Sequence, residues 1–142
     1  MSSFRICDIA GTGMSAQNLR LNRVASNLAN VDAVPSSINH TYRSRPPVFQ
    51  AMLNQADPNA PAKGVRMAGV VESQAPLNRE YAPNHPMADG EGYIYKPNVN
   101  PVEEMANMIS ASRAYQSNVD ISQRVTRRPK QPTEIEPRHI NR

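Results

Sequence analysis

The sequence predicts an α+β fold: long N- and C-terminal helices packed as a coiled-coil-like pair, with a small Pro-rich β domain between them. Three observations predict it. The first 34 residues hold no proline and place Cys7, Ala10, Met14, Gln17, Leu21, Val24, Leu28 and Val31 at alternating intervals of three and four. A second stretch opens at Asn100-Pro101-Val102-Glu103 and keeps an apolar side to about Gln123. Between them, from Pro35 to Pro101, stand ten of the thirteen prolines, which bar helix interiors and central strands. A hydrophobic repeat of about 3.5 residues marks a helix lying lengthwise against another.

The elements follow in order, over boundaries expected at 1–34, 35–99, 100–123 and 124–142. Ser2 or Ser3 can cap the first helix, and Asp8 lies near its positive end. Gly11 and Gly13 each cost about 1 kcal/mol relative to alanine inside a helix, a cost that close approach of a neighbouring helix can offset. Asn30-Val31-Asp32 favours a turn, and Pro35 blocks continuation. Tyr42 to Phe49, interrupted by Pro46-Pro47, reads as a strand, as does Gly64 to Ser73, where Val65, Met67, Gly69 and Val71 alternate. Tyr93-Ile94-Tyr95 is a third short strand. Gln55 to Gly64 reads as a surface loop, and Ala82 to Gly92 as a turn-rich one. The last helix has a clear start: Asn100 as N-cap, Pro101 in the first turn, and Glu103 completing an Asn-x-x-Glu box. Val102, Met105, Ala106, Ile109, Tyr115 and Val119 give its apolar side. Beyond Gln123 three prolines and scattered charge predict a disordered tail.

Composition narrows the function. Hydrophobic residues make up 39% of the chain, aromatics only 5%, and there is no tryptophan, so the core is thin. The few large apolar side chains on each helical stripe do not offset the entropy of ordering so long a helix. Both ends are therefore expected to be poorly ordered in a monomer and to order on association. The net charge of +4 belongs wholly to residues 124–142, with six basic and two acidic side chains, while residues 1–123 carry ten of each. A nucleic-acid module would rest on that tail alone, because the body has no basic face. The single Cys7 excludes an internal disulfide and sits on the helical stripe as an apolar packing residue. No stretch is apolar enough to insert in a membrane, and no basic segment followed by an apolar region marks a cleaved secretory signal.

Chemistry-bearing groups are sparse. Gly11-Thr12-Gly13-Met14-Ser15-Ala16 superficially suggests a phosphate loop but lacks a preceding strand and a third glycine. His85, Asp89 and Glu91 could in principle bind metal, but they sit in a polar turn-rich loop and read as loop residues. His40 and His139 are isolated, which leaves no nucleophile and base pair. Glu103-Glu104 reads as charge compensation at a helix N-terminus. Arg43 and Arg45 beside Tyr42 read as solvated strand residues. Asn27 and Asn30 are placed to stop the helix and bond backbone groups. The expectation is a non-enzyme: no catalytic residues, no metal, no cofactor, no small-molecule substrate and no nucleic acid. A cell-wall hydrolase would need an added segment with paired carboxylates, for which 142 residues leave no room.

A family resemblance fits this reading. Ala25-Ser26-Asn27-Leu28-Ala29-Asn30 resembles the Asn-x-Ala-Asn motif closing the first helix of the bacterial flagellar axial proteins (rod, hook and hook-associated). The segment from Tyr42-Arg43-Ser44-Arg45 to Phe49-Gln50 is similar to the stretch that succeeds that motif in those proteins. Tyr81 to Tyr115 is most specific. There His85-Pro86, Glu91-Gly92-Tyr93, Pro97-Asn98-Val99-Asn100, Glu103-Glu104-Met105 and Met108 to Gln116 resemble the proximal rod members. The resemblance implies a structural subunit of the flagellar basal body, exported through the flagellar type III apparatus without a cleaved signal and polymerised in the periplasm into the motor's drive shaft. Partners would be further copies of itself, other flagellar rod proteins and the export apparatus. Such members continue the last helix with an apolar stripe. Here Ser122-Gln123-Arg124-Val125 passes into the Pro- and Arg-rich tail, as a shifted reading frame near Asp120 would leave it; the alternative is then a non-functional or partly functional copy of such a rod protein. The interface is expected to be Met14, Leu21, Val24, Leu28 and Val31 of the first helix, answered by Val102, Met105, Ile109, Tyr115 and Val119 of the last.

Overall fold

The computed structural model describes residues 3–53, 61 and 63–127. Helix α1 spans Ser3–Ala29, strands β1 and β2 span Pro47–Met52 and Gly64–Val70, β3 and β4 span Asn78–Tyr81 and Tyr93–Lys96, and helix α2 spans Pro101–Thr126. A 3-10 turn, Ile38–His40, lies between α1 and β1. Ser3 is already helical. The Asn100 side chain accepts from the N–H groups of Val102 and Glu103 (3.1 and 3.4 Å) and caps α2. The helix continues to Thr126, past the expected end at Gln123, and Arg127 N–H closes it on the Gln123 carbonyl. The expected disordered tail otherwise lies outside the described residues, as does most of the loop expected over 55–64.

The helices run antiparallel. Arg20 Nη2 donates to Asn107 Oδ1 (3.0 Å), Asn27 lies beside Glu104, and Gly13 faces Asn118. The residues meeting at this seam differ from the predicted stripe. Ala10, Val24 and the line through Gln17 are shared, but Met14, Leu21 and Leu28 give way to Gly13, Arg20 and Asn27, one residue earlier. From α2 the seam takes Glu104, Asn107, Ala111 and Asn118, again at intervals of three or four or seven. Small residues allow the close approach. A Cβ on Gly13 would lie 2.9 Å from the Asn118 amide, whereas Gly11 has nothing within 4 Å, so only Gly13 meets the neighbouring helix anticipated for both.

On its other side α1 carries the β1–β2 ribbon, antiparallel and bulged between Val48 and Phe49. Gly64, Val65, Met67 and Gly69 are the less exposed residues of β2, and Val65 N–H donates to Thr12 Oγ1 on α1 (3.1 Å). The first strand begins at Pro47, later than Tyr42; Pro46, just before it, has no N–H to give to the ladder. Ser73 N–H still reaches the Ser44 carbonyl (2.8 Å), so the extended pairing outlasts the strands. Strand β3 is a further element, absent from the sequence expectation. It pairs antiparallel with β4, and all four of its residues are exposed, so it has no apolar alternation to betray it.

A candidate assembly site

Two polar joints organise the β module, one fixing it to α1 and the other tying its own segments together. Asn27, 2% exposed, accepts at Oδ1 from the Tyr42 hydroxyl (2.8 Å) and from Arg45 N–H (3.2 Å), while its Nδ2 donates toward Ser44 Oγ (3.4 Å). The Arg45 guanidinium stands over the Tyr42 ring, 5.4 Å from its centre. Asn30 Nδ2 bonds the Ser26 carbonyl (2.8 Å) and closes the end of α1. In the second joint, Asn98 Oδ1 accepts from Ser44 N–H (2.7 Å) and its Nδ2 donates to the Ala75 carbonyl (2.8 Å), which Arg43 Nη1 also reaches (3.0 Å). Pro97 beside it is fully buried. Asn27 thus does more than stop a helix; its partners, 15–18 residues onward, lie beyond what local sequence reveals.

Glu104 completes the first joint from α2. It is buried, and its Oε2 finds no hydrogen-bond partner. Burial pushes its carboxyl above the ordinary value, and Glu103 adds to this, against the pull of the Asn27 hydrogen bond and Arg20. Glu103 remains at the exposed helix start, as charge compensation requires, but Glu104 does not. A groove of about 380 Å³ opens here between Arg20, Arg23, Phe49 and Glu104. Arg20 and Asn107 are seam residues that the sequence reading missed; their signal was position, since Arg20 falls midway between Gly13 and Asn27 at intervals of seven.

The remaining motif residues shape the β3–β4 loop. Gly92 has φ +84°, and a Cβ there would lie 3.0 Å from the Tyr81 ring. Tyr81 and Tyr93 meet edge to face at 5.2 Å. Asp89 Oδ1 accepts from Tyr93 N–H (2.9 Å) and Glu91 N–H (3.0 Å). These bonds, Tyr93's first, hold its carboxylate below the ordinary value. His85 Nδ1 accepts from Met87 N–H (3.1 Å), and Pro86 is exposed. Asp89 and His85 are thereby occupied in turn geometry.

The expected interface residues divide. Val24 is buried in the seam, while Met14, Leu21, Leu28, Val31 and Val119 are half-buried. Val102, Met105 and Ile109 are 76%, 55% and 55% exposed, and Tyr115 is exposed too. Within one copy, therefore, most of the α2 set does not answer the α1 stripe. Opposing α1 instead are Glu104, Asn107, Ala111 and Asn118, and the apolar ridge of α2 points outward. Among the described residues no helix is long and apolar enough to cross a membrane.

Both helices carry family signatures. A model of the flagella basal body rod protein matches residues 8–35, and one of the flagellar basal body rod FlgEFG protein C-terminal matches residues 91–126. The flagellar basal-body rod protein FlgC of Escherichia coli O6:H1 is 48% identical over 121 residues, covering 85% of this chain and 88% of that protein. FlgC of Salmonella typhimurium is 46% identical over the same shares. FlgC of Borreliella burgdorferi is 36% identical, covering 83% of this chain and 87% of its own length. The chain belongs to the FlgC family. As a FlgC-family protein it is a structural subunit of the flagellar basal-body rod. The Asn27 joint falls in the first matched segment, and the Glu104 seam and the ridge fall in the second.

Proposed function

We propose that this FlgC-family subunit polymerises through its two terminal helices into the proximal part of the rod, alongside further copies of itself and other rod proteins. In this reading the β1–β2 and β3–β4 ribbons face outward, and the chain reaches the periplasm through the flagellar export apparatus without a cleaved signal. The rod is a transmission element, so its subunits supply stiffness and contact, with no turnover. One observation carries the proposal: inside a single copy, small and polar residues join the helices, while Val102, Met105 and Ile109 are left on the outside. Large apolar side chains in a row on a solvent-facing helix mark an unfilled contact. The Asn27 and Asn98 joints set the angle at which the outer module leaves the helices. Motility complementation tests the reading. The chain should restore swimming to a strain lacking its own FlgC; a full-length, exported product that leaves basal bodies without a rod would contradict it.

A further inference from the structure

The chain holds one aspartate–glycine step, Asp89-Gly90, and no asparagine that precedes a glycine. Its other aspartates precede isoleucine (Asp8, Asp120), alanine (Asp32) or proline (Asp57). The following residue matters because its main-chain amide can attack the carboxyl carbon of the aspartate before it. Glycine brings no side chain to hinder that approach, and its backbone turns freely. A β-branched residue crowds the approach, and proline has no N–H to lose. Gly90 is exposed, its Cβ position meets nothing within 4 Å, and its φ is not positive. Neither space nor backbone conformation therefore calls for glycine there, whereas both do at Gly92. Among the described residues the Gly90 N–H reaches no acceptor.

We infer that Asp89-Gly90 is the chain's site of isoaspartate formation, and that the closed β3–β4 hairpin holds it unreacted. In the reaction Gly90 N attacks Asp89 Cγ of the protonated carboxyl. The N–Cγ bond forms, a Cγ–O bond breaks, and the hydroxyl leaves as water with the amide proton. Water then opens the cyclic imide. Breaking the N–Cγ bond restores aspartate. Breaking the bond from the same nitrogen to the Asp89 main-chain carbonyl carbon gives isoaspartate, whose main chain runs through Cγ. One water leaves and one returns, so the mass is unchanged and no oxidant or cofactor takes part. The hairpin opposes the first step. Oδ1 accepts from the N–H groups of Glu91 (3.0 Å) and Tyr93 (2.9 Å), and the Tyr95 hydroxyl donates to Oδ2 (3.3 Å). These bonds favour the charged carboxylate, a poor electrophile, and they fix the carbon that has to turn onto Gly90 N. Asp89 N–H donates to the Tyr93 carbonyl (2.9 Å) and Gly92 N–H to the Asp89 carbonyl (3.0 Å), which hold the main chain on either side. Reaction therefore waits for the loop to open. The product does not reclose. An added main-chain carbon and a displaced carboxylate forfeit the bonds that shut the hairpin beside the Tyr81–Tyr93 contact.

The test incubates the full-length chain in native buffer and in guanidinium chloride. Isoaspartate is counted by enzymatic methyl transfer and placed by fragmentation mass spectrometry. In denaturant residue 89 should convert before any other aspartate. Gly90→Ala, which the open Cβ position accommodates, should slow that conversion about tenfold or more. In native buffer the unmodified chain should convert about tenfold or more slowly than in denaturant. Tyr95→Phe, which removes one donor to the carboxylate, should convert faster than the unmodified chain in native buffer and at the same rate in denaturant. Earlier conversion at another aspartate, or an undiminished rate in Gly90→Ala, would overturn the site. Equal rates in the two buffers, a comparison that depends on no variant, would overturn the restraint. So would Tyr95→Phe converting no faster than the unmodified chain in native buffer.

Discussion

Asn27 is the residue on which the most geometry converges, since it ties α1 to Tyr42, Arg45 and α2 at once. Replacing it with alanine strands buried donors and an acceptor, each costing about 1–3 kcal/mol, so Asn27→Ala should lower unfolding free energy by about 3 kcal/mol or more in urea titration. Tyr42→Phe, which removes one hydroxyl, should cost about 1 kcal/mol. Glu104 makes stability pH-dependent. Its folded-state carboxyl titrates above its ordinary value of 4.5, so the folded chain holds that proton longer than the unfolded one. The resulting stability is full below the unfolded value and is lost as pH rises through the folded value. Unfolding titrations from about pH 4 upward should show this decline in the unmodified chain and a flatter profile in Glu104→Gln. Parallel profiles would remove Glu104 from the account.

The elements were legible where their signals were local. Asn100, Pro101 and the acidic residues after them define the start of α2 through caps and charge alone, and the structure begins the helix at Pro101. Two things were not legible. Strand β3, Asn78-Arg79-Glu80-Tyr81, is exposed on all four residues, so only its partner β4 makes it a strand. The seam was hidden because a search for large apolar residues favours Met14, Leu21 and Leu28, whereas close approach selects Gly13 and Ala111 and polar pairing selects Arg20 and Asn27. The two glycines give a direct test. Gly11→Ala should stabilise the monomer by about 0.5–1 kcal/mol through helix propensity. Gly13→Ala should gain less than Gly11→Ala, because its methyl must displace the Asn118 amide. Thermal unfolding of both variants, and of Gly13→Ala combined with Asn118→Ala, measures the difference; recovery in the double variant assigns it to that contact.

At the scale of the whole molecule, the chain divides its labour between a helix pair carrying the family signatures and two small ribbons held by polar joints. Leu21→Asp or Leu28→Asp should therefore reduce incorporation into purified basal bodies far more than substitutions in 55–64, and equal losses would contradict that division. The family, the start of α2 and the apolar make-up of its ridge could be anticipated from sequence. The inward and outward faces of each helix could not, since they depend on which residue of α1 lies level with which residue of α2. Hydrogen exchange reads the central claim most directly. In dilute monomer the intrachain seam should give the amides of α1 and α2 only modest protection, and in the assembled state they should become strongly protected. Equal, strong protection of both helices before and after assembly would show that neighbouring copies complete nothing.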